Sequence, residues 1–249
     1  MKALVTGASS GIGRDIAREL HRRGVTVILH GRDGARLAQL QQELDGARVI
    51  AADLSDADAC YELYEAVKGE TIDILVNNAG FGLFGAFDKT DLNTELNMLD
   101  TNVRAVHILT KLFLRDFTAR DSGYILNVAS SAAFSPGPLM AVYYATKAYV
   151  LRLTQAVWCE LKKQGSRVYI GALCPGPVET GFNDRADVRF AVHSLQSADV
   201  ARYAVKQMFA GKRVIVPGIL MKLTKFATRF APDGLALALA YRIQQRKRS

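Results

Sequence analysis

Ala3-Leu4-Val5-Thr6-Gly7-Ala8-Ser9-Ser10-Gly11-Ile12-Gly13 runs an apolar strand straight into a turn of small residues, and helical spacing follows from Arg14 through Leu20 to Gly24. Small residues let a backbone come close to a diphosphate, and the first turn of the new helix offers unpaired N–H groups and the positive end of its dipole. A strand, this turn and a helix at the first crossing make residues 6–13 a candidate phosphate cradle. A glycine-rich turn kept only for packing is the ordinary alternative.

That strand is the first of seven runs rich in Val, Ile and Leu. The others are Val25-Thr26-Val27-Ile28-Leu29, Arg48-Val49-Ile50-Ala51-Ala52, Ile72-Asp73-Ile74-Leu75-Val76, Tyr124-Ile125-Leu126-Asn127-Val128, Val168-Tyr169-Ile170-Gly171-Ala172-Leu173 and Val214-Ile215-Val216. Continuous apolar strands separated by helical segments read as a parallel sheet covered on both faces. The fold class expected is α/β, a Rossmann-type doubly wound, mostly seven-stranded parallel sheet with helices on both faces. Two long helices are expected over residues 91–120 and 142–164, the second stopped by Gly165. With no repeat and no break in composition before Gly218, residues 1–218 read as one Rossmann-type domain and 219–249 as a basic amphipathic extension.

The chain has 249 residues, 49% of them hydrophobic and 22% charged, enough for one large core. Only three apolar residues separate Lys2 from Thr6, too few for a secretory signal, and Cys60, Cys159 and Cys174 make no disulfide or zinc pattern. A cytoplasmic protein is expected. His21, His30, His107 and His193 show no ligand spacing, so no metal is expected. Of the net +8, +6 lies in residues 219–249, where Lys222, Lys225, Arg229, Arg242, Arg246, Lys247 and Arg248 face Asp233 alone. A nearly balanced body argues against a nucleic-acid partner.

Tyr143 and Lys147 stand four apart on an expected helix and so share a face. A free phenol is a poor base at neutral pH, and a nearby ammonium should lower its pKa. Ser130 lies just past a strand end, thirteen residues before Tyr143, where its hydroxyl could polarise a substrate oxygen. Tyr144 and Ser131 are the adjacent competitors. Taken singly, each of these residues has an ordinary use as core aromatic, snorkelling amine or helix cap.

The glycine spacing G-x-x-x-G-x-G departs from G-x-G-x-x-G, and with it the chain resembles the classical short-chain dehydrogenase/reductase family over its whole length. The later motifs stand in order: Asn77-Asn78-Ala79-Gly80, Asn102, Ser130, Tyr143-x-x-x-Lys147, and Pro175-Gly176 with Thr180. The resemblance implies hydride transfer between a nicotinamide and a carbonyl carbon, with Tyr143 as general acid or base and Lys147 on the nicotinamide ribose. It implies that Asn102 holds a water linking Lys147 to solvent. Gly7, Ser9, Ser10, Gly11, Ile12 and Gly13 would cradle the diphosphate, Asp53 and Leu54 would border the adenine, and the Asn78-Ala79-Gly80 backbone would line the adenosine side. Pro175, Gly176, Val178 and Thr180 would meet the carboxamide. It also suggests a homodimer or homotetramer built through the two long helices.

A carboxylate at the end of the second strand would select NAD(H). Here that place is Gly31, and Arg32 follows, suited to the 2′-phosphate of NADP(H). Asp33 keeps NAD(H) as the alternative. Phe134, Pro136, Pro138, Leu139 and Met140 suggest an apolar wall, and Phe182, Phe190, Val192 and Leu195 an apolar lid within a substrate loop at about 181–197. The substrate expected is a hydrophobic ketone or secondary alcohol, fatty or sterol-like, as in hydroxysteroid dehydrogenases. A nicotinamide-sensing protein without turnover is the alternative in another class. In the tail, Ile219, Leu220, Leu223, Phe226, Ala227 and Phe230 share a helical face beside Lys222, Lys225 and Arg229. Such a helix packs on the domain or a second subunit and caps the cleft, the reading preferred here, or lies on an anionic membrane as a peripheral contact.

Overall fold

In the computed structural model, described for residues 1–180, 194–228, 230 and 233–245, all seven apolar runs enter one sheet. The strands are β1 (Lys2–Val5), β2 (Thr26–Gly31), β3 (Arg48–Ala51), β4 (Ile74–Asn77), β5 (Tyr124–Val128), β6 (Tyr169–Leu173) and β9 (Val214–Ile215). Their order is β3-β2-β1-β4-β5-β6-β9, with every neighbouring pair parallel. This is the doubly wound Rossmann-type sheet. Successive side chains alternate between two cores. Val5, Val27 and Leu29 pack under α1 (Gly11–Arg22) and α2 (Gly34–Glu43), while Leu4, Ile28 and Leu75 pack under α3 (Ala57–Lys68) and α5 (Ala105–Ala119). Because helices cover both faces, both alternating positions are mostly apolar, which is why the strands read as nearly unbroken apolar runs.

Strand order reverses between β1 and β4, and the carboxyl ends of strands at such a point open a crevice. Buried amides brace its floor. Asn77 Nδ2 donates to Asn127 Oδ1 at 2.9 Å and to Thr110 Oγ1 at 3.0 Å, and Asn127 Nδ2 donates to Thr154 Oγ1 at 3.0 Å. These bonds tie β4 and β5 to α5 and to α6 (Ala141–Lys163).

Three features differ from the expected pattern. The stretch 91–120 is α4 (Leu92–Leu99), a π-helical turn at Asp100–Arg104, and α5. A short parallel pair joins β7 (Val178–Glu179) to β8 (Leu195–Gln196), and α7 (Ser197–Phe209) follows at once. Leu195 is therefore packed on the core beneath α1 and α2 instead of in a lid, because pairing with Val178 draws it there. Phe182, Phe190 and Val192 lie outside the described residues. The tail forms two helices, α8 (Ile219–Ala227) and α9 (Asp233–Gln245).

His30, 1% exposed on β2, is pulled down to about 4 by burial, against the attraction of Asp53 and the Ala52 backbone. Its folded pKa lies below its unfolded value, so the stabilisation is complete above pH 6.5 and lost as pH falls towards 4. The loss should reach about 3 kcal/mol. Urea unfolding at pH 7 and pH 4 should show His30→Leu to be less acid-sensitive than the parent by this amount; equal sensitivity would clear His30 of the effect.

Candidate active site

The candidate cradle is a turn packed too tightly for larger side chains. Gly7 has φ +64°, and a Cβ there would lie 2.8 Å from Ala79 Cα. A Cβ on Gly13 would lie 2.2 Å from Asn78 Nδ2 and 2.4 Å from the Gly7 carbonyl, so only hydrogen fits. Asn78 holds the loop: its Nδ2 donates to the Thr6 and Gly7 carbonyls, both at 3.0 Å. The Asn78 and Ala79 amides donate to Thr6 Oγ1 at 3.0 and 3.1 Å. Ser10 is the N-cap of α1 but its hydroxyl caps no amide, and the first turn carries no acidic residue. A helix start with open N–H groups and no resident anion fits a diphosphate.

Tyr143 and Lys147 both come from α6 and are both buried, at 9% and 6% exposure. The phenol sits among Met98, Ala132 and Met140 and is hydrogen-bonded to the Ser130 hydroxyl. Ser130 also caps the short helical turn Ser131–Phe134, accepting from the Ala132 amide at 3.1 Å. Lys147 Nζ donates to the Val128 carbonyl at 2.9 Å and stands 5.9 Å from the Tyr143 ring centroid.

Here the structure corrects the expected electrostatics. Burial pushes the Tyr143 phenol up to about 12, with the Ser130 hydrogen bond pulling the other way. Burial also pulls the Lys147 ammonium down to about 8. In the protein alone, desolvation outweighs the ammonium, which is committed to a carbonyl.

Asn102 sits in the π turn, fully buried, and its side chain is occupied. Its Oδ1 accepts from the Phe81 amide at 3.0 Å, and its Nδ2 donates to the Phe81 carbonyl at 2.8 Å and to Thr146 Oγ1 at 3.2 Å. The carboxamide thus pins α6 to the segment after β4, with no donor left for a water. Extra turns of this kind concentrate at functional sites.

Comparison with known proteins bears directly on this arrangement. The family model for short chain dehydrogenases matches residues 1–188. The chain is a short-chain dehydrogenase. It is 42% identical to an uncharacterized short-chain type dehydrogenase/reductase of Sinorhizobium fredii over 182 residues, 72% of this chain and 71% of that one. Among solved structures it resembles a short-chain dehydrogenase from Sphingobium yanoikuyae in complex with NADPH, with TM-score 0.83, 29% identity and 94% of each chain covered. It also resembles the bulky-bulky ketone specific alcohol dehydrogenase from Comamonas testosteroni, with TM-score 0.77, 27% identity, and 93% of this chain and 94% of that one covered. It is an NAD(P)-dependent oxidoreductase acting on CH–OH groups.

Gly31 and Arg32, the residues expected to select the cofactor, stand at the end of β2. A Cβ on Gly31 would meet Ser9 Oγ at 3.4 Å, so Ser9 faces the gap that Gly31 leaves. The Arg32 guanidinium is half-exposed and paired with Asp53 at 3.3 Å. Asp33 is the N-cap of α2, accepting from the Arg36 amide at 3.0 Å. Its carboxylate is thereby engaged within its own helix. Leu54 is turned into the core, leaving Asp53 as the side chain at the surface.

At the other end of the crevice, the Pro175 carbonyl accepts from the Ser131 amide at 2.7 Å, joining the proline turn to the loop that carries Ser130. Thr180 packs on Gly11, where a Cβ would lie 2.9 Å from its Cγ2. Val178 is buried in β7 and packed in the core beneath α1 and α2. Gly80 lies against Asn102 and Lys147, its would-be Cβ 2.8 Å from Asn102 Oδ1 and 3.4 Å from Lys147 Nζ. Ile12 packs part-buried on the core beneath α1. Two contacts have no signal in the sequence: Met221 of α8 seats on Gly176, and Gln244 of α9 donates to the Tyr144 hydroxyl at 2.7 Å.

Proposed function

We propose that this short-chain dehydrogenase is a cytoplasmic, NADP(H)-dependent reductase of hydrophobic ketones, running also in reverse on the matching secondary alcohols, with Tyr143 as general acid and base. The observation that carries the reading is a phenol buried among apolar side chains, hydrogen-bonded to Ser130 and one helical turn from a buried lysine. A phenol held up to about 12 keeps its proton at neutral pH, the state a proton donor needs. Bound reduced nicotinamide would supply the hydride to the carbonyl carbon. Tyr143 gives its proton to the oxygen as negative charge develops there, and Ser130 donates a second hydrogen bond to the same atom. Lys147 holds the ribose, with a pKa near 8 that keeps it charged at neutrality. Asn102 acts by fixing α6, and any water it holds is bound through its main chain.

Gly7, Ser9, Ser10, Gly11, Ile12 and Gly13 would hold the diphosphate, and Thr180 closes over Gly11. The Asn78-Ala79-Gly80 backbone lines the adenosine side, with Asp53 and the Leu54 backbone at the adenine. Pro175, Gly176 and Val178 meet the carboxamide. Arg32 takes the 2′-phosphate, exchanging Asp53 for a stronger anion, since Gly31 leaves room and Asp33 is spent on its helix. NAD(H) is the weaker cofactor. Ketones and alcohols assayed with each cofactor, by nicotinamide absorbance, test the whole reading, and no turnover across the panel would overturn it. In the same assay Arg32→Ala should weaken NADPH by roughly 10- to 100-fold and leave NADH nearly unchanged. Equal losses would remove the phosphate pairing.

The apolar wall favours a bulky ketone, fatty or of hydroxysteroid type. Leu92, Leu96 and Leu99 form an exposed stripe on α4, and Tyr149 is exposed on α6, an apolar face suited to a homodimer or homotetramer. Sedimentation equilibrium reads the mass directly; a monomer at micromolar concentration would exclude this assembly.

A further inference from the structure

Helix α8 is amphipathic the wrong way round. Met221 faces the domain and packs on Gly176 and on the cluster of Val106, Ala129 and Val150. On the opposite side Ile219, Leu223 and Phe226, spaced for one helical face, are 77%, 62% and 64% exposed. Phe230, 72% exposed, extends the stripe, its ring 5.1 Å from that of Phe226. A helix that serves only its own domain turns such a stripe inward. In α9, Leu239 and Tyr241 are exposed as well, at 56% and 43%.

The charge beside this stripe is cationic. Lys222 lies next to it, over the Tyr203 ring at 5.6 Å. A cavity of about 380 Å³ opens there, lined by Tyr203, Lys212, Val216, Lys222 and Phe226 among others, so two lysines and an apolar wall meet around it. Residues 219–249 carry +6 of the net +8. A second copy of this chain on the same face would set one cationic tail against another, which like-charge repulsion opposes. No helix among the described residues is long and apolar enough to cross a membrane, so contact would be with a surface.

The tail is also built into the catalytic site. Met221 rests on the proline turn, and Gln244, 2% exposed, bonds Tyr144, whose ring meets Tyr143 edge-on at 6.1 Å. We propose that α8 and Phe230 seat in the surface of an anionic bilayer, with lipid phosphate at Lys222 and Lys212, and that the substrate is a bilayer-dissolved ketone or alcohol reaching Tyr143 past the tail. The substrate half rests on the ketone-reductase reading; the docking half does not.

The test is sedimentation of the full-length protein with vesicles of phosphatidylcholine alone and of phosphatidylcholine mixed with phosphatidylglycerol. Binding to the mixed vesicles should be at least about tenfold stronger and weaken with salt. Leu223→Glu with Phe226→Glu should abolish it while melting temperature and turnover of a water-soluble ketone stay unchanged. Turnover of a long-chain ketone carried in the vesicles should fall about tenfold in that variant. Lys222→Glu with Lys212→Glu should remove the preference for the anionic lipid. Equal binding of parent and Leu223→Glu/Phe226→Glu protein, or no binding to mixed vesicles, overturns the docking surface. Mass that grows with concentration, and is reduced by the same variant in the absence of vesicle binding, would assign the face to self-association instead. Because sedimentation needs no turnover, inactivity toward every ketone would sink the substrate reading and leave the docking result standing.

Discussion

Tyr143→Phe should bind NADPH as the parent does, melt within a few degrees of it, and lose turnover by about 10³-fold. The substitution removes one oxygen. The ring keeps its packing against Met98, Ala132 and Met140, so the fold has little reason to respond. What disappears is the proton donor, and with it the hydrogen bond to Ser130. Steady-state kinetics beside a fluorescence titration of NADPH separate the two effects. Tyr144→Phe is the control, since it loses only the bond from Gln244 and should keep turnover of a small ketone within about tenfold. Undiminished turnover in Tyr143→Phe would take the phenol out of the mechanism. The pH profile has a sign as well: Lys147, depressed to about 8, is charged below that value, so kcat/KM for reduction should hold through neutrality and decline above it.

Gly13→Ala should raise the Kd for NADPH by more than about 100-fold. The new methyl would sit 2.2 Å from Asn78 Nδ2 and 2.4 Å from the Gly7 carbonyl. An amide side chain can rotate aside, but a backbone carbonyl moves only with its loop, and moving the loop spoils the approach to a diphosphate. Asn78 would also lose the bonds by which it joins that loop to the end of β4. Gly34→Ala, where a Cβ meets nothing within 4 Å, should leave affinity unchanged. Calorimetric titration of both variants, with melting curves to confirm folding, decides the matter. Parent-like NADPH affinity in Gly13→Ala would mean that this turn serves packing alone.

Most of the sheet was legible because burial on both faces leaves each strand continuously apolar, and such runs need no partner to be recognised. The π turn at Asp100–Arg104 was not, since apolar periodicity continues smoothly from Leu92 to Phe117 across one extra residue. The pairing of Val178 with Leu195 was hidden for a different reason: two residues carry too little pattern to show a strand. The tail read correctly as apolar and basic, but which way its stripe faces depends on where Met221 lands, and that is a contact with Gly176, forty-five positions away.

The sequence by itself determined the fold class, the tight glycine turn after β1 and the shared helical face of Tyr143 and Lys147, because each is a matter of local pattern: unbroken apolar runs in strands, four residues for about one helical turn, glycine where only hydrogen fits. Tertiary structure alone decided that burial moves the phenol's pKa up, which partner Arg32 takes and the link from Gln244 to Tyr144. Desolvation and ion pairing depend on which side chains are brought near through space. Residues 144 and 244 stand 100 positions apart, a separation across which no sequence period carries information.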